Sequence, residues 1–465
     1  MKHFFSALAC CCCLCLLSCS ENEKNTAKCD PSRPVVFTDF SPKEGSVRTR
    51  LYITGDNFGN DASRIHVNVG GKEAKVIGAN GKEIYCMVPK RSYDGNITVK
   101  IDGDNGETIT DFTFEDEFTY HAKQTVGTLI RKVDENGNSS WIEGPFEKAA
   151  IASGDWMVMG HPKYGKKAYL GSWHDGLYVL DMETETLSKL FGNMHSKMES
   201  FTFTSEGDTL LIPDDNGKGE GNERPTVYYA LRSEGFRKHR VYCYGPCSYS
   251  CVSHPDDHTL FFTSWKEGGV WKKDGTYDAT NGKWIPKLCF KLSTLVQVDG
   301  SNLHLVMHPS GKYMYIVGEK VSAILRSDYD FDKKEFTTPR VIAGHLSQNG
   351  YADGVGESAR LDAIFQGVFV KNREYEEAGK EDVYDFYATE KWNCCVRKVT
   401  PEGVVTTYAG RSNITADGKH YGYVDGDLRK EARFNQSTGI GYDEDTETFY
   451  VGEVENHSVR YITTE

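Results

Sequence analysis

Residues 343–362 read AGHLSQNGYADGVGESARLD, and residues 409–435 read AGRSNITADGKHYGYVDGDLRKEARFN. Each stretch holds Ala-Gly, then Tyr-x-Asp-Gly, then Ala-Arg and a large apolar residue. The anchors of the first copy are Ala343-Gly344, Tyr351-Ala352-Asp353-Gly354 and Ala359-Arg360-Leu361-Asp362. Those of the second are Ala409-Gly410, Tyr423-Val424-Asp425-Gly426 and Ala432-Arg433-Phe434-Asn435. A pattern that returns after about 70 residues marks a repeat architecture, in which each copy is one unit that must stack on the next.

Outward from these copies the chain shows a turn, an apolar strand, a polar kink and a second apolar strand, over and over. The first such unit runs from Ala168-Tyr169-Leu170 through Trp173 to Leu177-Tyr178-Val179. Others begin at Leu260, Met314, Phe386 and Phe449, and a weaker one at Leu210 resumes at Val227 after an insertion. Six units in the residues after 124 average about 57 residues each, near the period of propeller blades with added loops. The last unit stops after Val459–Ile462, one strand short, while Val126–Val133 has strand character and no unit of its own. The expectation is that this early segment supplies the missing outer strand and closes the ring, removing exposed strand edges. The two quoted copies resemble NHL-repeat β-propellers, most closely over residues 340–465.

Residues 34–120 follow a period of two instead. Leu51 and Ile53 alternate, as do Ile65, Val67 and Val69, then Ile97, Val99 and Ile101, then Phe112, Phe114, Phe118 and Tyr120. Such alternation predicts half-buried antiparallel strands, and the Gly-rich turns between them predict a sandwich. Phe40-Ser41-Pro42 with Gly45, Leu51–Gly59 (LYITGDNFG), Val69-Gly70-Gly71 and Val88-Pro89 resemble an IPT/TIG domain. That resemblance implies an immunoglobulin-like spacer or interaction module. The expected fold is therefore all-β: an IPT/TIG sandwich at 34–121, then a six-bladed NHL-type propeller at 124–465.

The first 18 residues read as a signal peptide. Lys2 and His3 form a short basic region, and Phe4–Leu17 an apolar run too short to span a bilayer. Leu16-Leu17-Ser18-Cys19 resembles the bacterial lipoprotein box, which implies lipidation at Cys19 and stable anchoring. Residues 19–33 read as a tether. Its acidic start, Ser20-Glu21-Asn22-Glu23-Lys24, resembles the export signal of surface lipoproteins in glycan-utilising Gram-negative bacteria, the alternative being a plain solvated linker. Outer-membrane, cell-surface localisation is the expectation.

Composition sets limits. Hydrophobic residues make up 38% and charged residues 26% of 465, which is globular and not disordered. The net charge of −13 lacks the basic footprint that nucleic-acid binding requires. Of 14 cysteines, five leave with the signal peptide and eight scattered ones follow Cys19, too few for a disulfide-framed fold.

Candidate functional residues come from aligning the units. Trp173, Trp265 and Trp392 fall at the turn between the second and third strands of three blades, which share one face of the disc. Indole rings there offer platforms on which sugar rings stack, and Asp175, Glu267, Glu390 and Asn393 stand close enough in sequence to accept hydroxyl hydrogen bonds. The competing reading is that each Trp fills space over the next blade. His161-Pro162, His254-Pro255 and His308-Pro309 recur before second strands, and read as turn residues before a metal ring. Cys243, Cys247 and Cys251 have a spacing zinc permits, but Gly245-Pro246 inside the run favours burial or a disulfide. Cys394-Cys395 read as packing on opposite faces of a strand. Asp214, Asp215, Asn216, Gly217 and Glu220 form an acidic loop that lacks the spacing of a calcium site and reads as a solvated turn.

Serine-hydrolase, zinc-protease, Walker and dinucleotide motifs are absent from the sequence, so no catalytic residue or cofactor is assigned. The resemblance implies a surface lipoprotein that captures an extracellular polysaccharide and passes it to an outer-membrane glycan transporter. A propeller lyase or hydrolase using His174, His457, Glu453 and Asp175 is the alternative, and a protein-binding scaffold the third.

Overall fold

The computed structural model describes residues 28–89, 92–215, 224–265, 268–294, 302–412 and 418–464. The chain divides into two compact units, the first ending at Lys123 and the second spanning Gln124–Thr464.

In the first unit, strands Val36–Ser41, Arg50–Asp56, Glu83–Met87, Lys72–Ala79, Ile65–Val69, Gly95–Asp102 and Thr108–Tyr120 are hydrogen-bonded in that order. The alternating residues Leu51, Ile53, Ile65, Val67, Val69, Ile97, Val99 and Ile101 all point inward and are buried with Phe40 and Phe118. Asn57 lies in the left-handed region, at φ 69°, within the GDNFG turn. Its side chain accepts from the Asp30 amide (2.8 Å) and donates to the carbonyls of Asp30 and Arg33 (both 2.9 Å), tying the residues before the sandwich to it.

The second unit is a six-bladed propeller. Blade 1 comprises Trp156–Met159, Lys167–Ser172, Gly176–Asp181 and Thr186–Phe191. Blade 2 comprises Thr202–Phe203, Thr209–Pro213, Arg224–Leu231 and Arg240–Gly245. Blade 3 comprises Cys251–Ser253, Leu260–Thr263, Gly269–Asp278 and Lys283–Lys291. Blade 4 comprises Leu303–Met307, Tyr313–Gly318, Val321–Asp330 and Arg340–Gly344. Blade 5 comprises Ile364–Lys371, Tyr384–Glu390, Cys395–Val399 and Val404–Gly410. Blade 6 comprises Ser437–Asp443, Thr448–Glu453 and Ser458–Thr464, and its outer strand is Gln124–Arg131.

That last pairing closes the ring. It runs antiparallel from Ser458 opposite Arg131 to Thr464 opposite Gln124, joining the two ends of the unit. The fit is close: a Cβ on Gly127 would lie 2.2 Å from the Tyr461 ring, so a side chain there must push that ring aside. Around the axis the first strands of blades 2 to 6 touch in turn, and the first strand of blade 1 meets that of blade 6. Gln366 bolts them at the centre, accepting from the amides of Met157 (3.0 Å) and Ile440 (3.1 Å) and donating to the Met157 carbonyl.

The Tyr-x-Asp-Gly repeat now has a physical reason. Arg397 is fully buried and pairs with Glu390 (3.0 Å) and Asp353 (3.0 Å), and it donates to the Ala352 carbonyl (2.9 Å). Arg460 repeats this one blade later with Glu453 (3.3 Å), Asp425 and the Val424 carbonyl (2.8 Å). Each Tyr-x-Asp segment thus wraps back over the blade that follows it and satisfies that blade's buried arginine. Glu390 and Glu453 also accept from equivalent asparagines, Asn393 (2.6 Å) and Asn456 (2.7 Å).

The His-Pro pairs cap turns. The Nδ1 atoms of His161, His254 and His308 accept from the amides of Lys163 (3.2 Å), Asp256 (3.3 Å) and Ser310 (3.2 Å). Cys243, Cys247 and Cys251 are buried, and none of the three is in a disulfide among the described residues. Cys395 opens a strand while Cys394 sits in the preceding turn at φ 52°, so the two are not successive strand positions as expected, though both are buried. Asp214 is buried where a solvated turn was expected, its Oδ1 accepting from the Lys197 amide (3.0 Å). Among the described residues no helix is long and apolar enough to cross a membrane, and no three metal-ligating side chains form a group.

The buried ion pair predicts a mutational signature. Arg397→Met leaves the Glu390 carboxylate buried without its cation and should cost about 3–5 kcal/mol in the propeller's urea transition. Arg397→Met combined with Glu390→Leu should recover most of that loss.

Candidate functional site

Strands alternate in direction within a blade, so two kinds of loop emerge on the same side of the disc. These are the turns between second and third strands and the connectors that lead to the next blade. Trp173, Trp265 and Trp392 all lie in such turns, in blades 1, 3 and 5. Trp265 and Trp392 are 37% and 50% exposed. Exposed indoles fixed on a rigid scaffold favour an apolar ring surface as partner. Trp173 is half-buried among Trp156, Tyr169 and Phe201. Its Nε1 is buried with no hydrogen-bond partner among the described residues, and Lys197 Nζ lies 4.3 Å from its ring centroid.

The polar residues expected beside these rings divide. Asp175 accepts from Ser172 Oγ (2.9 Å) and from Trp141 Nε1 (2.9 Å), whose ring stacks on Tyr178 at 3.7 Å. It therefore braces the blade from a half-buried position. Glu390 is 0% exposed and Asn393 is buried; both belong to the Arg397 network and do not reach the surface that Trp392 occupies. Glu390 ends its strand pointing inward, so nearness in sequence to Trp392 does not carry to the surface. Glu453, invoked for an enzyme, is equally buried against Arg460. His457 Nδ1 bonds the Ala152 carbonyl (2.6 Å), and His174 is exposed. Glu267 and Cys19 lie outside the described residues, as do Asn216, Gly217 and Glu220 of the acidic loop.

The structure also assembles a polar centre that the sequence did not signal. Asp155 precedes the first strand of blade 1 and accepts from Ser153 Oγ (2.5 Å) and the Trp173 amide (3.4 Å). Lys197 and Glu199, on the connector to blade 2, form an ion pair, with Asp215 3.9 Å from Lys197. Lys391, beside Trp392, pairs with Glu319 of blade 4 and lies 5.6 Å from the Phe365 ring centroid. Beneath them His304 packs between Trp156 (4.6 Å) and Phe365 (4.9 Å), with Nδ1 on the Phe365 carbonyl (2.7 Å). These residues come from four blades and several connectors, so no local spacing could have grouped them.

Burial governs their protonation. It pushes the Glu199 carboxyl up to about 7; Lys197 opposes the rise, and Asp215 and Asp155 add to it. Burial likewise holds Asp155 and Asp214 above the usual carboxylate range. It pulls His304 down to about 4, leaving the ring neutral at pH 7. Perturbed carboxyls gathered near Trp173 on the face that carries the tryptophans fit a ligand-binding face.

On the opposite face the first strands of all six blades line a cavity of about 360 Å³. Met157, Met159, Met307 and Phe369 line its wall, and Gln366, its amide already satisfied, lies at its floor.

Comparison with known proteins locates the architecture. Residues 34–121 match the IPT/TIG domain family. A solved auxiliary nutrient binding protein from Bacteroides thetaiotaomicron is 38% identical, with 94% of this chain and 99% of that one covered and a TM-score of 0.69. One from Bacteroides ovatus is 32% identical, covers 94% and 100%, and has a TM-score of 0.80. A third, from B. thetaiotaomicron and described as a candidate phosphatase, is 33% identical over 95% and 99%, with a TM-score of 0.67. Among curated proteins, a 56-residue stretch, 12% of this chain, is 47% identical to mouse fibrocystin-L, of which it spans 1%.

The raised Glu199 carboxyl has a consequence for stability. Folded protein binds a proton there at pH values where the unfolded chain, titrating near 4.5, has lost it. The contribution of this group is therefore full below about 4.5 and is lost as pH rises through about 7. Glu199→Gln should flatten the fall of the melting temperature between those values relative to the parent.

Proposed function

Because the chain belongs to the same family as the two Bacteroides auxiliary nutrient binding proteins, we propose that it binds an extracellular polysaccharide for a glycan-uptake system. The observation that carries the reading is the trio of tryptophans on one face of the propeller, two of them exposed, above a polar centre. A sugar ring presents an apolar C–H face that stacks on indole, while its hydroxyls need acceptors and donors at the rim. Lys197 beside Trp173 and Lys391 beside Trp392 bring polar groups to these rings. A rigid disc on which three of the six blades each present a tryptophan suits an extended chain better than a small enclosed solute.

The proposal extends to location. Lipidation at Cys19 would fix the protein to the outer membrane, and the acidic residues after it favour display at the cell surface, where a glycan transporter would be its partner. The hydrophobic run Phe4–Leu17 ending at Ser18-Cys19 supports this reading. Cys19→Ser should move the protein from the membrane fraction to the soluble fraction of the producing cell, and retention of the variant in the membrane would refute the anchor.

A hydrolytic second reading draws on Glu199, whose carboxyl sits near neutrality with Asp155 beside it, a pairing that acid–base chemistry uses. One assay separates the two. Affinity electrophoresis of Ser20–Glu465, which retains every described residue, is run across plant, host and microbial polysaccharides. Reducing ends, unsaturated sugars and released phosphate are measured in the same tubes. Retardation by a glycan without products is the expected outcome. Trp265→Ala and Trp392→Ala should each weaken binding about ten-fold or more, in line with removal of an exposed aromatic anchor.

A further inference from the structure

The axial cavity on the face opposite the tryptophans is a blind chamber and not a channel. Trp156 and Gln366 close its inner end. Behind them the His304 ring packs 4.6 Å from Trp156 and 4.9 Å from Phe365. The polar groups of this floor are already satisfied. Trp156 Nε1 donates to the Phe201 carbonyl (2.9 Å), and both ends of the buried Gln366 amide are engaged with the backbones of Met157 and Ile440. The floor therefore does not call for water, and chambers of this kind stay dry or take apolar guests. A volume of about 360 Å³ falls in the range of small-molecule sites.

The walls decide what fits. Met157, Met159 and Met307 bring thioethers from blades 1 and 4, and Phe203, Phe369 and Tyr442 bring rings from blades 2, 5 and 6. Thioether sulfur favours the edge of an aromatic ring, and unbranched methionine adapts to the outline of a guest. Phenyl and phenol rings add stacked or edge-on contacts. Charge finds no counterpart inside. Every turn on this side of the disc is described, and no lysine or arginine is among the described residues of the lining. His308 is turned to Ser310 (2.7 Å) and Asp382 (3.4 Å), and Glu444 is exposed at the rim. An anion would shed its hydration here with no cation to meet it, and a cation would meet a carboxylate only at the solvent edge. We propose that this chamber is a second binding site, for an uncharged aromatic small molecule, on the side of the propeller away from the tryptophans and independent of the glycan reading.

The test uses a matched pair of probes. Ser20–Glu465 is titrated with N-phenylnaphthylamine, an uncharged aromatic whose emission rises in apolar surroundings, and with its sulfonated analogue. The expected result is saturable binding of one uncharged probe per chain, with the sulfonate binding about ten-fold more weakly or worse. Val158→Phe and Val368→Phe, which put bulk into the chamber from blades 1 and 5, should each weaken the uncharged probe about ten-fold. Methyl NMR of labelled methionines gives a readout without substitution. Met157, Met159 and Met307 should shift, while Met87 in the sandwich and Met194 on the connector from blade 1 to blade 2 should not. Absence of binding overturns the proposal, as does equal or tighter binding of the sulfonate. Shifts at Met87 or Met194 in place of the chamber methionines overturn it too, because the probe has then found another surface. Unchanged affinity in filled variants that melt like the parent does the same, and where a variant fails to fold the methionine spectra decide. A failed glycan screen leaves this site standing, since the two sites are read by separate probes.

Discussion

The propeller depends on one backbone contact, the pairing of Gln124–Arg131 with Ser458–Thr464. Each blade buries its faces against its neighbours, so a ring of six has no stable end until the last blade meets the first. A three-stranded terminal blade would leave a bare strand edge, and the early strand fills it. Closure then fixes where every turn and connector points. The three tryptophans share one face because alternating strand direction is locked around a complete circle. The Gln366 bridge, which joins the inner strands of blades 5, 6 and 1, is the same constraint met at the axis.

Much of this architecture was legible in the sequence because repetition leaves a periodic trace. Apolar alternation found the sandwich core from Leu51 to Ile101, and recurring strand-kink-strand units found the blades. The Tyr-x-Asp-Gly copies were visible as a pattern, but their role was not. Its partner signal was present: Glu390, Asn393 and Arg397 recur with the same spacing as Glu453, Asn456 and Arg460. Read as a pair, those triplets identify Glu390 and Asn393 as parts of a buried clamp. Read singly beside Trp392, they look like ligand contacts.

The polar centre was less legible for a physical reason. Asp155, Lys197, Glu199, Asp215, Glu319 and Lys391 lie on connectors and turns of blades 1, 2, 4 and 5, and only closure of the ring brings their charges together. No periodicity governs such residues, since each loop is free to vary while the blades stay fixed. The tryptophans were accessible to sequence reasoning because each occupies an equivalent turn.

The central claim is that the face carrying these turns and connectors is the binding surface. Hydrogen–deuterium exchange of Ser20–Glu465, with and without a neutral polysaccharide that binds, tests it most directly. The account predicts slowed exchange confined to 153–156, 172–176, 193–201, 246–250, 263–265 and 391–394, with no change at the turns of the opposite face. Protection instead at 161–166, 254–259 and 308–312, or within the sandwich at 34–121, would contradict it and move the site elsewhere.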